Sequence, residues 1–192
     1  MDYTELIGKH VTLSPMMENH IEPLYAASLP SEIWEWSATK ILTYEEAVSY
    51  VKEGIRTREK GLHYPFVVID QANDSIIGST SLRNIQFDNQ TLEIGSTWYH
   101  PTKWRTAVNT ECKYLLLQQA FEKWRMNRVE FRTDELNINS RAAIIRLGAV
   151  EEGLLRMEKK LKDGRVRNTM IYSILKHEWP IVKQKLEAFL EK

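Results

Sequence analysis

The sequence has little cysteine and lacks any apolar run long enough to cross a membrane. Its 192 residues include a single cysteine, Cys112, which excludes an intramolecular disulfide and a paired-thiol zinc site. No apolar run approaches the roughly 18 residues that a membrane-spanning helix needs. Residues 1–10 are acidic and interrupted by charge, unlike a signal peptide. These absences favour a cytoplasmic protein.

The sequence also lacks an excess of charge of either sign. Lys and Arg number 26, as do Asp and Glu, so the formal net charge is zero. A balanced chain gives no electrostatic reason to expect a nucleic-acid or membrane partner. The histidines are scattered, with no two of them four residues apart, which argues against a metal site: His10, His20, His63, His100 and His177.

The length and composition are those of a globular domain. With 192 residues, of which 43% are hydrophobic, the chain is long enough to bury a sizeable core. It contains no internal repeat, low-complexity tract or linker rich in Pro, Gly and Ser. We therefore expect residues 1–192 to form a single domain.

The first 60 residues predict one short strand and two helices. Residues 10–16 alternate in polarity and favour a strand that ends at Pro15. Residues 17–28 predict a weak helix. Residues 44–60 predict a stronger helix that ends at Gly61, because four apolar residues fall on one face: Ala47, Val48, Val51 and Ile55.

The middle of the chain predicts three strands. Residues 64–70 (YPFVVID) form a continuous apolar run, as in a strand that is buried on both faces. Residues 75–82 and 91–99 follow, separated by a polar loop with Asp88-Asn89. Their spacing predicts antiparallel neighbours.

The longest helical pattern covers residues 107–125. Its apolar stripe consists of Val108, Cys112, Leu115, Leu116 and Ala120. Because Cys112 lies in this stripe, we predict a buried structural thiol rather than a nucleophile.

The C-terminal third predicts a strand at 128–133, a short helix at 139–148 that Gly148 ends, and a last helix at 177–191. Between these helices, Asp163-Gly164 joins two alternating runs and predicts a hairpin with a type I′ turn. The complete order predicts an α+β fold, in which helices flank a mixed sheet.

The stretch Trp104-Arg105-Thr106-Ala107-Val108-Asn109-Thr110 leads into the longest helix and contains no glycine. The free N–H groups at a helix start can bind a phosphate, and glycine usually lets the backbone approach closely. The alternative is a plain helix start with Thr106 as the N-cap. Read alone, the stretch favours this alternative.

Three blocks resemble the GCN5-related N-acetyltransferase (GNAT) superfamily, and most closely its branch of ribosomal-protein N-terminal acetyltransferase-like enzymes. They are LEIGSTWYHPTKWRTAVNTECKYLLLQQAF, NRVEFRTDELNINSRAAIIRLGAVEEG and DGRVRNTMIYSILKHEW. In the first block, Arg105 would either obstruct a phosphate or lie beside it as a cationic partner, with Lys103 nearby. The resemblance covers residues 64–179 well and residues 1–60 only by element order. It implies a mostly antiparallel central sheet flanked by helices, and transfer of an acetyl group from acetyl-CoA to a primary amine.

The resemblance implies a role for particular residues. Residues 105–110 would hold the pyrophosphate: Arg105, Thr106, Ala107, Val108, Asn109 and Thr110. Glu93, expected to be partly desolvated between two apolar neighbours, would be the general base. Gly95 would let the strand approach the thioester, or else mark a bulge. Asn137 and Ser140 would assist on the CoA and thiolate side, although helix capping also explains both.

Two features depart from the family pattern. Arg105 and Ala107 occupy the two glycine positions of the family's pyrophosphate loop. Ile144 lies where many members have a tyrosine that acts as the general acid. Tyr172 is a weaker candidate for the general acid and is better explained as a core residue. These departures keep a second class open, a non-catalytic acyl-CoA-binding module. Transfer of a larger acyl group, such as succinyl, is also open.

The acceptor is expected over the first two helices. Aromatic and acidic residues there can line a cleft for a cationic amine, or be core and solvated residues: Trp34, Trp36, Tyr44, Glu32, Glu35, Glu45 and Glu46. A protein N-terminus, a polyamine, an antibiotic and a metabolite all remain possible acceptors, and the chain can be a monomer or a homodimer.

Overall fold

The computed structural model describes residues 4–37, 39–161 and 164–191. Within them, the strands are β1 (Leu6–Ile7), β2 (Val11–Pro15), β3 (His63–Asp70), β4 (Ser75–Gln86), β5 (Thr91–Tyr99), β6 (Arg128–Asp134), β7 (Val150–Lys160) and β8 (Val166–Leu175). The helices are α1 (Ile21–Ser28), α2 (Tyr44–Glu59), α3 (Val108–Gln118), α4 (Ile138–Leu147) and α5 (Trp179–Leu190).

All eight strands belong to one sheet, in the order β1-β2-β3-β4-β5-β6-β8-β7. Each neighbouring pair is antiparallel except β5 and β6, which are parallel. The predicted α+β fold with a mixed, mostly antiparallel sheet is confirmed, and so is the antiparallel pairing of β4 with β5.

Helices cover the two faces of the sheet unequally. Helices α3, α4 and α5 contribute to the larger core cluster, on what we call the α3 face. Helices α1 and α2 form the smaller cluster on the opposite face, the α2 face, where they pack on β4 and β3. Among the described residues, no helix is long and apolar enough to cross a membrane.

The helix ends follow local sequence signals. The Thr43 hydroxyl accepts a hydrogen bond from the Glu46 N–H at 3.2 Å and caps α2. Gly148 adopts φ +105° directly after α4, a left-handed conformation that glycine adopts without a steric penalty. The predicted end of this helix is therefore confirmed.

Several predicted boundaries changed. The helix expected at 107–125 is α-helical only over Val108–Gln118 and continues as a π-helical turn over Gln119–Lys123. Strand β4 runs four residues beyond the predicted end at 82, to Gln86. β7 and β8 form the predicted hairpin. The type I′ turn itself falls partly on residues 162 and 163, which lie outside the described residues.

A buried glutamate ties α3 to the N-terminal strands. The Glu111 carboxylate is 4% exposed and accepts hydrogen bonds from the backbone N–H groups of Lys9, His10 and Val11 at 2.7–2.8 Å. Gly8 lies against it, since a Cβ there would be 2.5 Å from the Glu111 carboxyl carbon. The carboxylate thus takes the place of a missing strand partner for three amides.

Candidate active site

Strands β5 and β6 separate after a short paired stretch. They pair only where Thr91–Glu93 lies beside Arg128–Glu130, while β5 continues to Tyr99 and β6 to Asp134. Residues 94–99 and 131–134 therefore face an opening, which we call the strand gap. Its backbone edges can pair with an extended ligand that carries amide groups.

A β-bulge interrupts β5 beside the strand gap. Ser79 lies opposite Trp98 and Ser81 opposite Gly95, so Thr80 faces two residues. Ser96, in the bulge, has φ +48°, a conformation that costs energy for a non-glycine residue and is concentrated at functional sites.

The bulge overturns one expectation about the strand face. Simple alternation would place Thr97 on the same face as Glu93 and Gly95. Instead, Thr97 points to the α3 face, where its hydroxyl accepts a hydrogen bond from Lys113 Nζ at 2.6 Å. Glu93 and Gly95 face the other way, since the intervening Ile94 packs in the core beneath α3.

Lys113 of α3 is buried behind the bulge. Its Nζ is also 3.4 Å from Thr80 Oγ1, and the Thr80 and Thr97 hydroxyls are 2.7 Å apart. Burial lowers the pKa of Lys113 from 10.5 to about 8, because the charged form is poorly solvated. These three polar groups connect α3 to both strands that form the bulge.

Glu93 is a buried carboxylate at the inner end of the strand gap. It is 7% exposed and accepts a hydrogen bond from Asn84 Nδ2 at 2.7 Å. Arg132 Nε is 4.0 Å from the same carboxylate oxygen. Gly95 leaves room for this side chain, because a Cβ there would lie 2.7 Å from Glu93 Oε1.

The loop before α3 keeps a glycine-like backbone without glycine. Arg105 has φ +61°, which L-residues other than Asn and Asp rarely adopt. Within the described residues, the backbone N–H groups of Arg105, Thr106, Ala107 and Asn109 have no hydrogen-bond partner. The loop therefore offers several free donors at the positive end of the α3 dipole.

Two expectations about this loop need correction. Ala107, not Thr106, is the N-cap of α3, although the Thr106 hydroxyl accepts a 3.3 Å bond from the Val108 N–H. Lys103, expected beside the phosphates, pairs with Asp70 at 2.5 Å. That ion pair lowers the pKa of Asp70 and keeps the Lys103 ammonium at the Asp70 carboxylate.

The first turn of α3 uses its side chains for packing. Val108 is buried in the core, and Asn109 Oδ1 accepts the Tyr99 hydroxyl at 3.2 Å. Buried Thr110 accepts a bond from Arg146 Nη2 at 3.0 Å, which ties α3 to α4. The side chains of Val108 and Thr110 are therefore not available to a ligand.

Asn137 and Ser140 lie where capping explains their contacts. Asn137 Oδ1 accepts the Ser140 N–H at 3.0 Å and caps α4. The half-buried Ser140 has no side-chain partner among the residues that the structure describes. Tyr172 is fully buried, and its hydroxyl accepts a bond from Arg141 Nε at 3.1 Å, which confirms its interpretation as core.

The α2 face is open beyond β5, since on this face α1 packs on β4 and α2 packs on β3. A half-buried network of ion pairs lies on this open part, where Arg132 is 2.6 Å from Glu130 and 3.8 Å from Glu158. Arg165 lies 5.7 Å from the Trp36 ring centre and 2.6 Å from buried Asp134. Of the aromatics expected to line a cleft, Trp36 therefore borders this open half.

The other predicted cleft residues serve elsewhere. Trp34 is buried in the α1–α2 core, where its indole N–H donates to the Ser28 carbonyl at 2.9 Å. Tyr44 stays exposed and packs edge-on against Tyr25. Glu46 accepts the Leu42 N–H at 2.7 Å, and Glu32 and Glu45 are exposed in first helical turns.

Cys112 is fully buried, as its position in the apolar stripe predicts. Burial raises its pKa from 9.0 to about 12, which reduces the reactive thiolate about 10³-fold at neutral pH. Iodoacetamide should therefore label the unfolded chain readily and the folded chain hardly at all, as measured by intact mass. Rapid labelling of the native protein would contradict this burial.

Sequence patterns missed three residues near Glu93: Arg83, Asn84 and Ser96. Arg83 and Asn84 directly follow the strand predicted at 75–82, and this position at its end was their only signal. In the part of the chain that the structure describes, no three His, Cys, Asp or Glu side chains converge to hold a metal ion.

The chain is similar to known acetyltransferases. It is 29% identical over 114 residues to the N-acetyltransferase p20 of Bacillus licheniformis, covering 59% of this chain and 63% of p20. It is 22% identical over 168 residues to the ribosomal-protein-serine acetyltransferase of Escherichia coli, covering 85% and 92%. The chain thus spans less than two thirds of p20.

The fold has close counterparts among solved structures. A GCN5-related N-acetyltransferase from Brucella melitensis superposes with a TM-score of 0.91 at 29% identity, covering 99% of this chain and 86% of that one. The family described as Acetyltransferase (GNAT) domain matches residues 10–150. This chain therefore belongs to the GNAT acetyltransferase family, on the side of its ribosomal-protein acetyltransferase branch.

Proposed function

We propose that this chain is an N-acetyltransferase that transfers the acetyl group of acetyl-CoA to a primary amine by direct attack in a ternary complex. The position of Glu93 carries the proposal. This buried carboxylate is the last β5 residue that pairs with β6, so it lies where the strand gap begins. A carboxylate at that place can accept a proton from a substrate beside a ligand that is held in the gap.

Residues 105–110 would hold the pyrophosphate through their backbone. Free N–H groups, a helix dipole and the left-handed Arg105 backbone support this assignment. The pantetheine arm, which carries amides, would pair with the free edges of the strand gap beside Gly95. Asn137 and Ser140, at the start of α4, would face the cofactor from the β6 side.

The chemistry requires a deprotonated amine. Its lone pair attacks the thioester carbonyl carbon, the C–S bond breaks, and CoA leaves as a thiolate. Glu93 accepts the amine proton, directly or through water. The Asn84 bond holds the buried carboxylate in one orientation.

Charge also develops on the thioester oxygen and the leaving sulfur. A backbone N–H from residues 93–97 is the proposed donor to the oxygen, because the bulge turns this part of β5 out of regular pairing. The Ser140 hydroxyl is the proposed donor to the thiolate, either directly or through water. Serine is too weak an acid to protonate the sulfur by itself.

Substitutions at Arg105 test whether the loop binds phosphate through its backbone. We expect Arg105→Gly to bind acetyl-CoA as tightly as the wild type or more tightly, since glycine adopts φ +61° without strain. Arg105→Ala also removes the guanidinium but keeps the strain. Its affinity should stay within about threefold of the wild type, with a lower melting temperature than Arg105→Gly. Isothermal titration calorimetry and thermal unfolding measure both effects.

The pair of variants separates the two possible roles of this arginine. If the guanidinium grips the phosphates, both variants should lose affinity by a similar factor, about tenfold or more for a charge-assisted contact. That result would contradict the backbone cradle.

The alternative is a binding module of the same fold without catalysis, which the absent loop glycines and the absent tyrosine favour. Calorimetry with acetyl-CoA and release of free CoA across an amine and peptide panel distinguish the two. Binding without release would support the module, whereas no binding at high micromolar acetyl-CoA would contradict both. Parallel assays with succinyl-CoA test the acyl group.

The remaining parts of the proposal concern organisation and setting. We infer that residues 1–192 act as one acyl-CoA N-acyltransferase domain, supported by the single sheet that all the described strands share. A cytoplasmic setting is supported by the single buried thiol. A protein N-terminus, as in the name of the E. coli relative, and a small amine are both candidate acceptors.

A further inference from the structure

Arg83 is unusual among the arginines near the open half of the α2 face. Four others have a carboxylate within 4.0 Å: Arg128, Arg132, Arg165 and Arg167. Among the described residues, Arg83 has no carboxylate within that distance. Its only hydrogen bond runs from Nη1 to Ser96 Oγ at 2.9 Å, so most of its five N–H donors have no partner.

The expected partner of Arg83 is already engaged. Arg83 and Glu93 are direct cross-strand neighbours on the same face, where an ion pair would ordinarily form. Glu93 accepts its hydrogen bond from Asn84 instead. The Arg83 side chain runs past Gly95, where a Cβ would be 3.4 Å from Arg83 Cδ, and reaches Ser96. The guanidinium thus lies next to the proposed base without neutralising it.

Besides Glu93, which lies beyond ion-pair distance, two titratable neighbours of Arg83 add no negative charge. The neighbouring groups, Tyr50 and His63, are neutral at pH 7: burial, with a smaller contribution from Arg83, lowers the pKa of His63 to about 4, and burial raises that of Tyr50. Arg83 itself is half-buried. A partly desolvated cation without a directly paired carboxylate is costly, and an anionic ligand that bonds to it would offset this cost.

The cofactor phosphates do not supply that anion. The proposed pyrophosphate loop leads into α3, on the opposite face of the sheet, whereas Arg83 faces the α2 side with Glu93. An anion at Arg83 must therefore belong to a molecule that enters from the open half of the α2 face. In the proposed reaction, that molecule is the amine acceptor.

We infer that Arg83 binds a carboxylate of the acceptor, a few bonds from the amine that Glu93 deprotonates. This inference rests on the proposed function and narrows its acceptor to small amino-acid-like amines. A planar guanidinium can bind a carboxylate through two parallel hydrogen bonds. It would orient the amine towards Glu93 and select acids over their neutral amides.

Matched acceptor pairs test the inference. Amino acids and their carboxamides differ only in the anionic group, and free CoA thiol reports turnover with acetyl-CoA. We expect wild-type kcat/KM to be about 10–100-fold higher for the acid of a preferred pair, the range for one charge-assisted contact. In Arg83→Met, the KM of the acid should rise by that factor while values for the carboxamide stay unchanged. Arg83→Lys should retain part of the preference.

A control and three outcomes make the test decisive. Arg56→Met, at an exposed arginine of α2 that pairs with Glu53, should leave the preference intact. Equal turnover of acids and carboxamides, or turnover of peptides alone, would overturn the inference but not the proposed function. An equal fall in kcat for both members in Arg83→Met would show a role at the reaction centre and also overturn it. No turnover of any amine, with acetyl-CoA bound, would contradict the proposed function itself.

Discussion

Replacing Glu93 by glutamine should lower kcat by about 10²–10⁴, the range that a general base contributes. Glutamine fills the same volume and can still accept the Asn84 hydrogen bond that Glu93 accepts at 2.7 Å. It cannot take a proton from the amine. Acetyl-CoA affinity should change little, because the pyrophosphate loop and the strand gap keep their backbone contacts. Steady-state kinetics and calorimetry on the same preparation measure the two effects.

The pH profile separates a base from a structural glutamate. In the wild type, kcat/KM should fall at low pH, and this acid limb should disappear in Glu93→Gln, because glutamine cannot accept the amine proton. Glu130 of β6 provides the control, because it lies beside Glu93 in the parallel pair and binds Arg128 and Arg132. Glu130→Gln should keep the acid limb. A limb that persists in Glu93→Gln would exclude Glu93 as the base.

Replacing Glu111 by alanine should destabilise the fold by about 3–5 kcal/mol, because three backbone N–H groups lose a charged acceptor. For a chain of 192 residues, this corresponds to a fall in melting temperature on the order of 10 °C. Urea unfolding followed by circular dichroism gives the free energy directly. The loss should be largest around Lys9, His10 and Val11, where hydrogen exchange should accelerate.

Two further variants calibrate the Glu111 result. Glu111→Gln keeps one carbonyl acceptor and should lose less stability than Glu111→Ala. Glu53→Ala removes an exposed helical glutamate whose ion pair with Arg56 lies at the surface, so it should cost far less stability than Glu111→Ala. A Glu111→Ala loss no larger than that of Glu53→Ala would show that water replaces the carboxylate.

The fold was accessible from the sequence because its signals are local. The apolar face of residues 44–60, the run at 64–70 and the Gly148 stop each depend on a few neighbouring residues, and the structure confirms all three. The parallel pairing of β5 with β6 and the length of that pairing depend on tertiary packing, which no local pattern encodes.

The site was less predictable, since its geometry comes from irregular backbone. The alternation rule put Thr97 on the face of Glu93, but the bulge at Ser96 turned it towards Lys113. A bulge adds one residue relative to a partner strand, so only the register between β4 and β5 reveals it. In the same way, no sequence pattern shows that Arg105 has a left-handed backbone.

The short contact between β5 and β6 has a mechanical consequence. Among the described residues, three pairs are the only strand pairing between the two parts of the sheet, β1–β5 and β6–β8–β7. Beyond them, bonds such as Arg146–Thr110 connect the helices. The backbone ladder between the two parts of the sheet is therefore short. A ligand bonded to both edges of the strand gap would connect the two parts of the sheet where their strands do not pair. Acetyl-CoA at 100 times its Kd should therefore add about 2.7 kcal/mol of stability and restrict the separation of these edges.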